Sequence, residues 1–156
     1  VVMWVNPEDS VDPKNPMDFG GCFMYQAPKN CQPDTFHTYT DDLKDIWRQI
    51  LKLRRGKETI LRATDLYNPL FIRWEEYGVL TACTECWVNL SNAERLAAEA
   101  YNIPFLSRFD AFNGPDHSED PRLKGYICED GEHPSDLGAA YTAELLGAMG
   151  YDPTIP

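Results

Sequence analysis

Apolar residues along this chain form short runs that alternate with stretches of helical spacing. The run at residues 1–5 predicts a buried strand, and similar runs predict strands near 58–64 and 104–110. Between them, helical spacing predicts an amphipathic helix at 40–55, a second helix from 91 onwards and a last helix from 136 onwards. Strands that alternate with helices predict parallel pairing and right-handed crossovers.

Two of these helices carry specific sequence signals. Ser91 and Glu94 have the spacing of a capping box, which predicts that a helix begins there. Ser135 is placed to cap the last helix. The apolar stripe of that helix is expected to face the core and consists of Leu137, Ala140, Tyr141, Leu145 and Ala148.

Two long polar segments interrupt the pattern, at about 6–38 and at 113–134. Both follow predicted strands, so they emerge at the same edge of the sheet, where ligands bind in open α/β folds. The length of 156 residues predicts a single domain over residues 1–156, with an irregular insertion at about 6–38.

Charge excludes some partners. The formal net charge of -11 argues against a nucleic-acid surface and against docking on anionic lipid, because both need clustered Lys and Arg. No apolar run approaches the roughly 20 residues that a membrane span needs. We therefore expect neither nucleic acid nor a membrane span among the partners of this chain.

The five cysteines suggest an oxidising compartment. Cys22 and Cys31 flank a short irregular loop, and a disulfide between them is predicted. Cys83 and Cys86 form a CxxC, interpreted as a local disulfide or as two thiols because a single CxxC is a weak zinc signal. An extracellular or secreted protein is expected, with the cytoplasm as the alternative.

Neither a metal nor another cofactor is predicted. His37 and His117 lie in polar loops without a partner pattern and are interpreted as solvated residues. The acidic segment at 117–120 is interpreted in the same way, as a solvated loop.

Asp130 stands three residues before His133, at the entry to the last helix. A carboxylate that accepts the Nδ1 proton of an imidazole fixes its tautomer and leaves Nε2 for a nucleophile. Gly131 permits the tight turn between the two residues. The pattern makes Asp130 and His133 candidate catalytic residues, although an ordinary polar turn before a helix gives the same short motif.

The segment DGEHPSDLGAAYTAELL resembles the last conserved block of the SGNH, or GDSL, hydrolases. ETILRATDLYNPL resembles the fourth strand of that family, and YNIPFLSRFDAFNGPD resembles its fifth strand and the following loop. YTDDLKDIWRQIL resembles the helix between strands three and four. The resemblance covers about residues 39–152 and implies a three-layer α/β/α, flavodoxin-like parallel sheet that lacks its N-terminal strands. It also implies that Asp130 and His133 belong to a Ser-His-Asp triad.

The rest of the family pattern is incomplete. No Gly-Asp-Ser nucleophile block and no second-block glycine are found. The third block, Gly-x-Asn-Asp, falls on residues 6–9, so Asn6 is the oxyanion or substrate candidate and Glu8 replaces the oxyanion-donating asparagine. In a second, less favoured register, Ser10 ends a degraded nucleophile block. Cys128 is a further nucleophile candidate, although it is better interpreted as a loop residue.

Two function classes follow. The first is an ester hydrolase of lipase or esterase type that acts on a small ester, with only Asp130 and His133 of the triad in this chain. Isolated residues 1–156 are then expected to show little or no esterase activity. The alternative is a non-catalytic structural or binding subunit that retains the C-terminal half of the fold. In either class, the apolar strand at 1–5 is expected at a sheet edge, covered by a homo-oligomer or a complementing N-terminal chain.

Overall fold

A computed structural model describes residues 2–3, 20–152 and 154–155 of the chain. Its helices are α1 (Gly20–Phe23), α2 (His37–Arg54), α3 (Phe71–Glu76), α4 (Leu80–Glu99), α5 (Arg108–Asn113) and α6 (Asp136–Ala148), with a 3₁₀ turn at Pro33–Phe36. Its strands are β1 (Val2–Met3), β2 (Thr59–Ile60), β3 (Arg62–Thr64), β4 (Phe105–Leu106) and β5 (Thr154–Ile155). The insertion predicted at 6–38 therefore contains α1 and the 3₁₀ turn, and residues 4–19 lie outside the described part.

The main sheet has the parallel order β1-β3-β4. Val2 lies opposite Arg62, and Ala63 lies opposite Phe105. The predicted mixed α/β architecture with parallel strands is confirmed, and β1 lies at an edge of this sheet. A second pairing, antiparallel between β2 and β5, was not predicted.

The core lies where α2 and α4 pack on each other and on β3. The helix predicted at 40–55 is present as α2, and it buries Tyr39, Leu43 and Trp47. α4 contributes Trp87 and Leu90 to the same cluster. No helix within residues 20–152 is long and apolar enough to cross a membrane.

The third predicted strand is much shorter than 104–110. β4 ends at Leu106, and Ser107 begins α5 by accepting a hydrogen bond from the Asp110 amide. Asp65 accepts hydrogen bonds from the amides of Arg108 and Phe109 at 2.6 and 3.1 Å, which satisfies the free end of α5. This polar contact across the sheet turns a locally apolar segment into a helix.

The helix start predicted at Ser91 is wrong, because α4 begins at Leu80 and runs through this position. The Ser91 hydroxyl donates to the Asp65 carboxylate at 2.5 Å. Glu94 is buried and accepts a hydrogen bond from the Tyr39 hydroxyl at 2.5 Å. The two residues resemble a capping box but make tertiary contacts in the middle of a helix.

The predicted inner stripe of α6 is also largely wrong. Leu137 is 56% exposed, Ala140 and Ala148 are exposed, and Gly138 is the buried position of this helix. A Cβ at Gly138 would lie 2.2 Å from the Tyr126 carbonyl oxygen, so only glycine allows this approach. The predicted cap is confirmed, because Ser135 accepts a hydrogen bond from the Gly138 amide at 3.1 Å.

The cysteine pairing differs from the prediction. The disulfides join Cys22 to Cys83 and Cys31 to Cys86, with Cα atoms 5.6 and 5.0 Å apart. The predicted bond between Cys22 and Cys31 is therefore wrong, and Cys83 and Cys86 form no bond with each other. Both cysteines of the CxxC lie on the buried face of α4, so each reaches a different end of the loop that packs over it. Two disulfides favour an oxidising environment.

Candidate functional site

Asp130 and His133 lie on a tight turn between α5 and α6. A backbone bridge joins Ile127 to Pro134 at the base of the turn, and the Cys128 amide donates to the His133 carbonyl oxygen at 2.9 Å. Gly131 at its tip has a φ of +81°, a conformation that side chains of L-residues rarely adopt. The turn is therefore closed by its own backbone and presents both side chains on one short loop.

The predicted hydrogen bond between Asp130 and His133 is present. Nδ1 of His133 lies 2.7 Å from Oδ2 of Asp130. The other carboxylate oxygen accepts hydrogen bonds from the amides of Glu132 and His133 at 2.9 and 3.0 Å. The carboxylate is thus fixed from both sides, and it holds one nitrogen of an imidazole whose side chain is 76% exposed.

Cys128 completes the contacts of Asp130. Its thiol donates to Oδ1 of Asp130 at 3.0 Å. This bond, followed by those from the backbone of Glu132 and His133 and from the His133 ring, holds the pKa of Asp130 well below its usual range. The same bond raises the pKa of the Cys128 thiol. Cys128 therefore favours the protonated form and contacts the carboxylate, which argues against it as the nucleophile.

His133 borders a cavity of about 400 Å³. The remaining lining residues follow the C-terminal ends of β3 and β4 or come from α1, α4 and the turn itself: Phe23, Leu66, Tyr67, Pro69, Leu70, Trp87, Arg108, Glu132 and Pro134. The cavity thus lies beyond the carboxyl ends of parallel strands, the position at which open α/β sheets bind ligands.

The wall after β3 is held by polar contacts. The backbone N–H of Asn68 donates a hydrogen bond to Oδ1 of Asn113 at 2.8 Å. In the other direction, Nδ2 of Asn113 donates to the backbone carbonyl oxygen of Asn68 at 3.0 Å. The Tyr67 hydroxyl donates to the Glu132 carbonyl oxygen at 2.9 Å, and burial raises the pKa of Tyr67 to about 12. Tyr67 thereby connects this wall to the turn that carries His133.

Two ionisable residues, buried Asp65 and half-buried Arg108, are in contact next to the cavity. Asp65 is 1% exposed, and desolvation raises its pKa although Ser91, Ser107 and two backbone amides donate to it. Nε of Arg108 donates to the Asp65 carbonyl oxygen at 2.8 Å, and its guanidinium lies over the Tyr67 ring. Arg108 therefore brings a cation to the cavity that holds His133.

The interpretation of His117 as a solvated residue is wrong. Its ring stacks on Phe109, with centroids 3.8 Å apart, and its Nε2 lies 2.7 Å from Oδ1 of Asp110. This second His–Asp pair borders a separate groove of about 90 Å³. His37 is exposed, as expected, and its Nδ1 contacts the Asp34 carbonyl oxygen.

Only some of the predicted site residues lie in the part of the chain that the structure describes. Asn6, Glu8 and Ser10 lie outside the described residues. Each serine within residues 20–152 has another role: Ser91 and Ser107 donate to Asp65, Ser118 bonds Asp116, and Ser135 caps α6. Residues 20–152 also contain no group of three or more metal-ligating side chains arranged around one point.

Sequence reasoning missed the cavity residues Phe23, Trp87 and Arg108. Arg108 was placed inside the strand predicted at 104–110, whereas β4 ends at Leu106 and Arg108 begins α5 at the carboxyl end of that strand. Phe23 had no signal in the sequence, because its position depends on a disulfide to a distant helix. Comparison with protein-family models, with curated proteins and with solved structures finds no match.

Proposed function

We propose that this chain contributes the His–Asp part of the active site of an ester hydrolase of the SGNH, or GDSL, type. The observation that carries the proposal is the 2.7 Å pair of His133 and Asp130 at the border of an apolar cavity beyond the ends of β3 and β4. A carboxylate that fixes the tautomer of an exposed imidazole beside a substrate-sized cavity is the arrangement that nucleophilic acyl transfer needs.

The sheet order supports the finer fold assignment. In flavodoxin-like sheets the last three strands are neighbours in chain order and run parallel. β1, β3 and β4 have this order and orientation. We therefore assign the domain to a three-layer α/β/α fold in which these strands correspond to the third, fourth and fifth. The two disulfides support an extracellular location for it.

The proposed reaction uses His133 as general base. Its Nε2 takes the proton of a serine hydroxyl while the serine oxygen attacks the ester carbonyl carbon. The proton then passes to the departing alkoxide, which leaves as the alcohol. Water attacks the resulting acyl-serine by the same path and releases the carboxylic acid. Asp130 stabilises the imidazolium in both steps.

The serine comes from outside the described residues in this proposal. Its candidate sources are Ser10, in the less favoured register, and a part of the protein or a complementing polypeptide that lies outside residues 1–156. A fluorophosphonate, which phosphonylates activated serines with loss of fluoride, distinguishes these sources by mass spectrometry of the labelled peptide. Label on Ser10, or on a copurifying chain, identifies the source. Absence of label favours the alternative of a non-catalytic binding subunit.

A histidine comparison tests the catalytic role of the pair. In the active protein, His133→Ala should lower kcat/KM for a nitrophenyl ester by about 10²–10⁴-fold, the usual contribution of a positioned general base. Asp130→Asn should also lower it, because the amide cannot hold the required tautomer. The matched control is His37→Ala, which replaces an exposed histidine at the start of α2 that does not line the cavity. Equal activities in His133→Ala and His37→Ala would refute the proposal.

A further inference from the structure

The cavity beside His133 has a size and a lining that restrict its ligand. Its volume of about 400 Å³ lies near the lower end of the range for small-molecule sites, about 300–1,000 Å³. Most of its lining side chains are apolar or aromatic, and Arg108 is its one cation among the described residues. A cavity at this end of the range favours a small, largely apolar group over a long lipid chain.

Most of the wall is part of the protein core. Trp87 is 2% exposed, and its indole nitrogen donates to the Leu66 carbonyl oxygen at 2.8 Å. Leu70 is buried, and Tyr67 is bonded to the His133 turn. These side chains cannot change size without disturbing the fold.

Phe23 differs from them because it is the last residue of α1 and only partly buried. Its ring centroid lies 6.1 Å from that of Trp87, so the two rings meet at the cavity wall. The neighbouring residue, Cys22, is bonded to Cys83 of α4. The Cys22 carbonyl oxygen also accepts a hydrogen bond from the indole nitrogen of Trp74 at 3.0 Å.

We propose that Phe23, held against Trp87 by the adjacent Cys22–Cys83 disulfide, sets the upper size limit of the acyl group that the cavity accepts. The preferred substrates are esters of short-chain or single-ring carboxylic acids. This inference rests on the proposed ester hydrolysis, because the ester bond that reacts would have to lie next to His133 at the cavity border. Phe23 is therefore a specificity-determining residue supplied by the insertion.

The test varies acyl length with a constant leaving group. The probes are 4-nitrophenyl esters of acetate, butanoate, hexanoate, octanoate and decanoate. The wild type and all variants are assayed in the active protein, with the source of the serine present, and the wild type should prefer the short acyl groups. Phe23→Ala should raise the ratio of kcat/KM for octanoate to that for butanoate at least about tenfold, since a few methylene groups in an apolar pocket discriminate by this order. Phe23→Leu should give a smaller shift, and Phe23→Trp a shift towards acetate.

The control is Tyr25→Ala, which removes an aromatic ring from the same loop. Tyr25 stacks on Tyr77 and does not line the cavity, so the chain-length profile should stay that of the wild type. A His133-dependent activity whose profile is the same in all Phe23 variants overturns the role of Phe23 and leaves the proposed function intact. If the Phe23 variants leave this acyl series unchanged but alter the preference in a second series, of acetate esters with alcohols of increasing length, the acyl assignment is overturned. Hydrolysis of no ester by the wild type, assayed together with the polypeptide or segment that supplies the serine, overturns both proposals.

Discussion

Glu94 shows how burial controls a single ionisable group in this protein. The side chain lies inside α4, accepts a hydrogen bond from Tyr39 and has Asp65 and Arg108 as charged neighbours. Desolvation raises its pKa from 4.5 to about 8, and the Tyr39 bond opposes this only in part. The folded protein therefore holds this proton more tightly than the unfolded chain does.

This shift predicts a pH-dependent stability. The stabilising effect of the bound proton is complete below pH 4.5 and is lost as the pH rises towards 8. Between pH 4.5 and 7 the loss is on the order of 3 kcal/mol at about 1.4 kcal/mol per pKa unit. Glu94→Gln, which keeps an acceptor for Tyr39, should flatten this part of the profile. Urea unfolding across this pH range measures it.

The control for Glu94 is Glu99→Gln, an exposed glutamate near the end of the same helix. Its unfolding free energy should follow the pH dependence of the wild type. If the profile of Glu94→Gln runs parallel to that of the wild type, Glu94 does not titrate in this range and its buried charge is stabilised by its neighbours.

At the scale of elements, α6 and the turn before it depend on one glycine. Gly138 brings the first turn of α6 against the backbone of Tyr126, whose carbonyl oxygen accepts a hydrogen bond from the Ser135 amide at 2.8 Å. The Ser135 hydroxyl also donates to the Gly125 carbonyl oxygen. These contacts fix the base of the turn that carries Asp130 and His133.

Gly138→Ala should therefore destabilise the protein by about 1–3 kcal/mol, because its Cβ would meet backbone that cannot rotate away. The matched variant is Gly147→Ala in the same helix, where a Cβ would have no neighbour within 4 Å. It should stabilise the protein by about 0.5–1 kcal/mol through helix propensity. Thermal unfolding of both variants measures the contrast, and equal effects of the same sign would contradict the close packing of α6.

At the scale of the whole molecule, local features could be predicted and distant ones could not. The amphipathic period located α2, and the spacing of Asp130 and His133 predicted a contact that needs only one turn. β4 and α4 were misassigned because Asp65 contacts Ser91, Ser107 and the start of α5 across the sheet. The predicted buried face of α6 was wrong because the close approach of Gly138 to the Tyr126 backbone, not hydrophobicity, decides which face of this helix is buried.

The disulfides also could not be predicted from local sequence. Their cysteines are 61 and 55 residues apart, whereas the predicted bond joined Cys22 to Cys31 across a short loop. Closing loops of this length restricts the unfolded chain and stabilises the fold by about 4 kcal/mol for one bond, and by less for a second bond around nearly the same loop. Together they hold the segment from α1 to Cys31 on α4. Global stability should therefore depend on redox conditions.

Replacing the second bond tests this dependence. Cys31→Ala/Cys86→Ala should lower the free energy of unfolding by about 2–4 kcal/mol in the absence of reductant. With the reductant dithiothreitol, the wild type should lose most of this advantage, since its own disulfides are then open. Peptide mapping of the oxidised wild type should recover Cys22 joined to Cys83 and Cys31 joined to Cys86, with Cys128 free to alkylate. A peptide that joins Cys22 to Cys31, or Cys83 to Cys86, would contradict this pairing and with it the anchoring of Phe23 at the cavity.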